Sequence, residues 1–164
     1  ATARAELEGV LGLCWADGGA LLDVGQGGRV VVETFYPAPR DADVMSRLST
    51  LHRSPDGAIL LALKDNTPVG CGMFHRFDAT TCEWKRIFVA PAARDLGTGR
   101  ALCLALEDLS RRAGYRRVVL DTITSLTAAR SLYRDLGFQD IGPYYDAPPA
   151  SQGHICFYQK DLSE

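Results

Sequence analysis

The sequence predicts an α/β (α+β) fold in which a mixed, mostly antiparallel central sheet is flanked by helices. From residue 58 onward, short apolar runs of strand length alternate with two longer runs whose apolar residues recur at helical spacing. Glycine follows each of the two helical runs, as is common at helix ends. A chain of 164 residues is large enough for one domain with its own core, so we expect a single domain over residues 1–164.

Residues 1–53 are the part of the chain in which these patterns are weakest. Residues 3–15 carry apolar side chains at helical spacing before Gly18 and Gly19, which predicts an amphipathic helix. Residues 29–36 are rich in β-branched side chains and predict a strand. A second short helix is expected over residues 43–51, and the packing of these pieces stays open.

Three strands connected by short turns are expected next, over residues 58–63, 68–77 and 82–89. The second strand contains Gly70 and Gly72, which pack poorly in a strand. They indicate a β-bulge or the close approach of a ligand. Pro91 ends the third strand because it cannot donate a backbone hydrogen bond.

The remaining elements alternate between helix and strand. A helix over residues 98–113 ends at Gly114, and a short buried strand follows over residues 117–120. The next helix, residues 126–136, has Thr124 or Ser125 as its expected N-cap and ends at Gly137. Closing strands are expected over residues 138–144 and 154–159, separated by a polar, proline-rich loop.

Composition excludes several classes of function. With 18 Lys and Arg against 20 Asp and Glu, the net charge is -2, which provides no field for nucleic acid or an anionic membrane. The longest apolar runs are too short to cross a bilayer. No charged-then-apolar segment opens the sequence, so a cytoplasmic protein is expected. The five cysteines are scattered, and no Cys/His spacing points to a metal.

The segment Arg94-x-x-Gly97-x-Gly99 connects the third of these strands to the first long helix. Backbone N–H groups at a helix start lack intrahelical partners and face the positive end of the helix dipole, so they bind anions such as phosphate. A dinucleotide fingerprint is excluded because Leu102 stands where a small residue is required. A nucleotide P-loop is excluded because no Gly-Lys-Ser/Thr run exists.

Two separated motifs resemble those of the GNAT superfamily of N-acetyltransferases. The segment beginning at Arg94 matches the Gln/Arg-x-x-Gly-x-Gly/Ala signature, which in that family holds the pyrophosphate of acetyl-CoA. The segment Leu132-Tyr133-x-x-x-Gly137-Phe138 resembles a second segment that these enzymes carry late in the chain, with Ala129 preceding it. The resemblance covers about residues 57–160. An Asn often found near Leu126 is absent here, which puts any contact it makes in doubt.

The resemblance implies a GNAT-like sheet, acetyl-CoA as co-substrate, and a set of cofactor contacts. Backbone groups on the third strand of the meander would pair with the pantetheine arm, and the loop that follows would hold the diphosphate. These cofactor-binding residues are Ile87, Phe88, Val89, Arg94, Asp95, Leu96, Gly97, Thr98, Gly99 and Arg100.

Glu83 and Tyr133 are the candidate catalytic residues. Glu83 lies where the histone-modifying branch of the family has a catalytic glutamate, so it is the candidate general base. An ordinary glutamate pKa of about 4.3 would have to be raised by burial, or Glu83 would act through a water molecule. Lys85 on the same strand face would oppose a rise of that pKa. A Glu83–Lys85 structural pair is the alternative. Tyr133 is the candidate acid for the departing thiolate, with packing in the core as its alternative.

The acceptor site is expected around Tyr144, Tyr145 and Asp146, whose rings and carboxylate suit an ammonium group, although a surface turn explains the same residues. His75 and His154 have no partner that the sequence identifies, and a solvated or hydrogen-bonded role is expected for each. Together with the segment 82–89, the segment 141–146 looks like a bacterial branch that acts on small molecules.

These features predict an acetyl-CoA-dependent N-acetyltransferase that acetylates a primary amine of a small molecule directly in a ternary complex. Two alternatives stay open. One uses Cys82 or Cys71 as an acetyl-accepting nucleophile, and the other is a non-catalytic GNAT-fold sensor that binds acyl-CoA. The expected partner is the small amine, and the sequence is compatible with a homodimer.

Overall fold

The computed structural model describes residues 21–24, 30–34, 52, 55–65 and 67–162. The predicted helices over residues 3–15 and 43–51 lie outside this set. Within it, the chain forms eight strands and two α-helices. The elements are β1 (Leu21–Val24), β2 (Val30–Thr34), β3 (Ala58–Lys64), β4 (Thr67–Arg76), β5 (Thr81–Val89), α1 (Thr98–Arg112), β6 (Arg117–Ile123), α2 (Thr127–Asp135), β7 (Gln139–Ile141) and β8 (Ile155–Asp161).

The described strands form one mixed sheet in the order β1-β2-β3-β4-β5-β6-β8-β7. Six of its seven neighbouring pairs are antiparallel, and the pair β5–β6 is parallel. Helix α1 makes the crossover between these two strands, as a parallel connection requires. The prediction of a mixed, mostly antiparallel sheet with flanking helices is confirmed.

The two helices pack on one face of the sheet. Trp84, Leu120 and Tyr158 lie side by side across β5, β6 and β8 and belong to the buried core that also contains Leu102 and Leu106 of α1. The indole N–H of Trp84 donates to Ser110 Oγ of α1 at 3.1 Å. Because side chains alternate along a strand, residues next to these in sequence face the other side of the sheet.

The predicted helix ends agree closely with the structure except at the start of α2. Gly114 and Gly137 follow the two helices with φ values of 90° and 88°, a left-handed conformation that glycine adopts without strain. Neither Thr124 nor Ser125 caps α2, and this prediction is wrong. The cap position is Leu126 without a side-chain hydrogen bond, and the Thr127 N–H instead donates to the Ser125 carbonyl at 2.9 Å.

Three further differences concern the strands. Strand β1 has no counterpart among the predicted elements. Strand β6 continues three residues beyond Leu120, to Ile123, and so includes Asp121. Strand β7 covers only Gln139–Ile141 and is shorter than predicted, because the Gly142-Pro143 pair follows it and proline cannot continue a ladder.

Candidate active site

Strands β5 and β6 pair only over their first halves. The parallel ladder joins Thr81–Trp84 to Arg117–Leu120 and stops there. On its other side, β5 pairs with β4, but the register shifts between Cys71 and Met73. Opposite this shift, Arg86 has φ of 53°, in the left-handed region, so the strand bends at a β-bulge. Residues 85–89 therefore run past the end of the β6 pairing, and their edge on that side has no strand partner among the described residues.

The two glycines in β4 explain how closely its neighbours approach this bend. A Cβ on Gly70 would lie 2.9 Å from the Phe88 carbonyl oxygen and 3.0 Å from Leu102 Cδ1. A Cβ on Gly72 would lie 3.0 Å from Leu106 Cδ1. The predicted bulge is present, and the groups that closely approach the two glycines are β5 and helix α1.

The loop after β5 ends at the N-terminus of α1. Pro91–Ala93 form one 3-10 turn, and Arg94 Nε donates to the Val89 carbonyl at 3.1 Å. Thr98 Oγ1 donates to the Ala93 carbonyl at 3.0 Å, which ties the helix start to this turn. The N-cap is Gly97, with φ of 78° and no side-chain hydrogen bond to the first turn. The free N–H groups of this turn are therefore suited to an anion.

The glycines and arginines of the loop have separate roles in the structure. A Cβ on Gly97 would meet nothing within 4 Å, and its positive φ accounts for glycine there. A Cβ on Gly99 would lie 3.3 Å from Leu132 Cδ2, so Gly99 allows α2 to pack against α1. Arg100 Nη2 lies 3.6 Å from Asp135 Oδ2 of α2. The side chains of Arg94 and Arg100 are otherwise largely exposed.

Glu83 is buried at the centre of a polar cluster on the sheet face opposite the helices. Its Oε1 accepts hydrogen bonds from Tyr144 Oη at 2.7 Å and from Lys85 Nζ at 2.8 Å. Its Oε2 lies 3.2 Å from His75 Nε2. Burial alone would disfavour the charged carboxylate, but the hydrogen bonds from His75, Lys85 and Tyr144 outweigh it and lower the pKa of Glu83 to about 2. Glu83 is ionised at neutral pH.

Asp121 supplies the second carboxylate of this cluster. Lys85 Nζ lies 2.5 Å from Asp121 Oδ1, and Tyr145 Oη donates to Asp121 Oδ2 at 3.1 Å. Burial would disfavour the lysine ammonium, but its bonds to Asp121 and Glu83 prevail and raise the pKa of Lys85. Two carboxylates against one ammonium leave a negative charge in the cluster when His75 is neutral.

The predicted acceptor residues are brought only partly together. Tyr144 and Tyr145 extend from the 142–154 loop over this cluster, and both rings contact Phe157 edge-on, with centroids 5.4 Å and 5.2 Å away. Burial, together with the carboxylates they contact, raises the pKa of both phenols. Asp146 instead lines a groove of about 560 Å³ beside the loop, together with Tyr145, Ile141, Ile155 and Phe157.

Tyr133 lies on the opposite, helix-covered face. It is 5% exposed, with its ring centroid 5.8 Å from that of Phe138 and 5.9 Å from that of Tyr158. Burial raises the pKa of its phenol, so the hydroxyl stays protonated at neutral pH. Its packing role is therefore present in the structure. The sheet therefore separates Tyr133 from Glu83.

His75 and Asp121 were not among the predicted site residues. His75 stands directly opposite Glu83 in the β4–β5 ladder, and its contact with the carboxylate gives it the hydrogen-bonded role that was one of the two expected for it. The register of the predicted hairpin is the signal that would have found it. For Asp121 the signal was a carboxylate directly after the apolar run Val118-Val119-Leu120.

Three of the four described cysteines, Cys71, Cys82 and Cys103, are poor nucleophiles. Cys71 and Cys82 are buried free thiols, and burial raises their pKa to about 12 and about 11. Cys103 behaves likewise, with a pKa of about 12. Among the described residues, no group of three or more His, Cys, Asp or Glu side chains is arranged to hold a metal ion. Neither described helix is long and apolar enough to cross a membrane.

Comparison with known proteins gives the family. The model of the acetyltransferase (GNAT) family matches residues 29–138, more than half of the chain. The chain therefore belongs to the GNAT acetyltransferase family, whose members are acyltransferases that use acetyl-CoA as co-substrate. The family resemblance expected from the two motifs is confirmed.

Similar proteins come from several organisms. An IAA acetyltransferase of Azospirillum brasilense is 36% identical over 131 residues, which cover 78% of this chain and 81% of that protein. An uncharacterised N-acetyltransferase of Schizosaccharomyces pombe is 38% identical over 96 residues, which cover 57% of this chain. The match spans 59% of that relative's length.

The fold is also that of solved acetyltransferases. A GNAT family acetyltransferase from Elizabethkingia anophelis, solved with acetyl-CoA bound, has a TM-score of 0.61 at 19% identity. The match covers 80% of this chain and 97% of that chain. At this identity the likeness shows the fold.

Proposed function

We propose that this acetyltransferase transfers the acetyl group of acetyl-CoA to a primary amine of a small molecule, directly within a ternary complex. The observation that carries the proposal is the end of the β5–β6 ladder at Trp84. This opening has an anion-binding helix start at one side and a polar cluster with two carboxylates at the other. A thioester held in the opening would face both.

The described residues fit acetyl-CoA. Residues Ile87, Phe88 and Val89 lie on the free edge of β5, where amide groups of an extended arm pair as an added strand would. The uncapped start of α1 at Gly97 offers N–H donors to a diphosphate, and Arg94 and Arg100 are exposed beside it. Asp95, Leu96, Thr98 and Gly99 complete this loop.

An amine acceptor is favoured by the charge of the cluster. Glu83 and Asp121 carry two negative charges and Lys85 one positive charge, so an ammonium group gains from entering. The rings of Tyr144 and Tyr145 offer faces for a cation, and Lys85 Nζ already lies 5.6 Å from the centroid of the Tyr145 ring. Asp146 in the adjoining groove would contact a distal polar group of the acceptor.

Glu83 is the proposed general base and Tyr133 the proposed acid. The amine nitrogen forms its bond to the acetyl carbon, the C–S bond breaks, and the amine gives up a proton toward Glu83. With a pKa of about 2, Glu83 can pass this proton on but holds it only briefly. The Tyr133 phenol, protonated at neutral pH, would supply the proton that the departing thiolate takes.

Direct transfer is favoured over an acetylated cysteine because Cys71 and Cys82 are buried and uncharged at neutral pH. The test has two steps. Titration calorimetry with acetyl-CoA measures binding, and release of the CoA thiol is then followed over a panel of small primary amines, with mass spectrometry of the amide product. Binding, thiol release that depends on one amine class, and no acetylated protein are the expected results. Absence of binding at millimolar acetyl-CoA, or thiol release without an amide, would contradict the proposal.

A further inference from the structure

Two histidines lie in contact behind Glu83. His75 Nε2 is 3.2 Å from Glu83 Oε2, and the His75 ring meets that of His52 edge-on with centroids 5.1 Å apart. The three side chains come from three places in the chain: His52 before β3, His75 on β4 and Glu83 on β5. The His75 side chain is 20% exposed, so solvent reaches part of it.

The two imidazoles differ in whether a hydrogen bond fixes their tautomer. His52 Nδ1 lies 2.8 Å from the Phe74 carbonyl oxygen, which only a protonated nitrogen can use as a hydrogen bond. This contact assigns the Nδ1–H tautomer to His52. By contrast, His75 Nδ1 is buried without a hydrogen-bond partner among the described residues. No described residue fixes the tautomer of His75 through Nδ1, so its Nε2 can either donate a hydrogen bond to Glu83 or accept one from it.

Both neighbours of His75 keep a single charge state over the pH range in which enzymes are assayed. Burial lowers the pKa of His52 to about 4, so this ring is neutral over the range in which enzymes are assayed. Glu83, with a pKa of about 2, is ionised over the same range. Histidine is the side-chain type whose ordinary pKa, about 6.5, lies within it.

We propose that His75 acts through Glu83 as the proton acceptor of the acetyl transfer. The proton leaves the amine nitrogen as the N–C bond forms, is taken by the Glu83 carboxylate, and moves from Oε2 to His75 Nε2. The products are an ionised Glu83 and an imidazolium that donates back to Oε2. The imidazolium then loses its proton to solvent. His75 is a positioning residue in this scheme, and the inference rests on the proposed amine acetylation.

The charge on His75 consequently sets the activity at low pH. When His75 already carries a proton, Oε2 of Glu83 faces an imidazolium while Oε1 faces the Lys85 ammonium, and no acceptor remains for the amine proton. When His75 is neutral, Nε2 is available. The other charged or titratable groups near this pair are His52, Tyr144 and Asp121, with Arg86 acting on His52. Burial keeps His52 neutral, and the hydrogen bonds to Glu83 keep that carboxylate ionised, above about pH 5.

The test measures kcat/KM against pH with a weakly basic primary amine that is unprotonated over the whole range. The wild-type enzyme is expected to lose activity at low pH, where a proton on His75 Nε2 blocks transfer from Glu83. In His75→Gln, an amide that can still donate to Glu83 replaces the titrating ring. This variant should lose the acid limb, and its plateau should fall by about 10²-fold, the lower end of general acid–base effects.

The matched control is His154→Gln, because His154 is an exposed histidine in the 142–154 loop. Its pH profile should equal that of the wild type. An acid limb that persists unchanged in His75→Gln overturns the role of His75, while turnover by the wild type leaves the proposed function standing. If the wild type acetylates no amine at all, the proposed function itself fails.

A second measurement does not depend on the stability of a variant. The ring-proton resonance of His75 in the wild-type enzyme, assigned by NMR, is followed against pH. Its midpoint should coincide with the midpoint of the acid limb of kcat/KM. A midpoint displaced by more than one pH unit would overturn the inference.

Discussion

Replacing Gly70 by alanine tests how tightly β4, β5 and α1 are fitted together at the cofactor edge. The new Cβ would lie 2.9 Å from the Phe88 carbonyl oxygen and 3.0 Å from Leu102 Cδ1. Ordinary contacts of a Cβ begin at 3.4 Å, so β5 must move by about 0.5 Å at Phe88, or α1 and β4 must give way. The obstructing group is backbone, which cannot turn aside as a side chain can.

The cost follows from these distances. Overpacking of a filled core costs about 1–3 kcal/mol. Removing a glycine from a strand returns about 0.5–1 kcal/mol through the unfolded chain. We therefore expect a net loss of about 1–2 kcal/mol in the free energy of unfolding. Because Phe88 belongs to the proposed pantetheine edge, the Kd for acetyl-CoA should also rise.

Urea unfolding, followed by the fluorescence of the buried Trp84, gives the stability, and calorimetry gives the Kd. The control is Gly142→Ala, since a Cβ there meets nothing within 4 Å. Gly72→Ala is an intermediate case, because its nearest neighbour is the side-chain end of Leu106 at 3.0 Å. If Gly70→Ala matches Gly142→Ala within about 0.5 kcal/mol and binds acetyl-CoA equally well, the close approach of β5 is refuted.

Three further predictions follow from the site. Tyr133→Phe should lower kcat about 10²-fold or more with little change in the Kd for acetyl-CoA, and an unchanged kcat would leave Tyr133 with its packing role alone. Because the pKa of Glu83 is lowered from 4.5 to about 2, its carboxylate stabilises the fold fully above about pH 4.5 and loses this effect as the pH falls through 2. The contribution is at most about 3 kcal/mol, so the urea midpoint of Glu83→Gln should depend less on pH between 5 and 2 than that of the wild type, and parallel curves would contradict the assignment. Gly97→Ala should cost about 1 kcal/mol, because alanine must adopt φ of 78°, and should weaken acetyl-CoA binding more than Gly142→Ala does; equal affinities would argue against cofactor contact at this turn.

The elements after residue 57 were predictable because their signals are local. Apolar periodicity, the turn before Pro68 and the glycines after each helix all act within a few residues, and the structure places the elements accordingly. The family could also be read from the sequence, since both motifs are short continuous segments. The N-cap of α2 was wrong because backbone carbonyl and N–H groups, rather than a side chain, complete its first turn.

The surroundings of each candidate were decided by tertiary structure. The sequence alone proposed Glu83, Tyr133, Tyr144 and Tyr145 as candidates. It left open whether the pKa of Glu83 would be raised or its carboxylate paired. That outcome depends on Lys85, His75 and Tyr144 meeting the same carboxylate, which requires the strand register and the path of the 142–154 loop. Contacts between residues 61 positions apart, such as Tyr144 with Glu83, follow from the order of strands in the sheet. The order of the strands cannot be read from local sequence patterns, because it is set by the burial of the whole core.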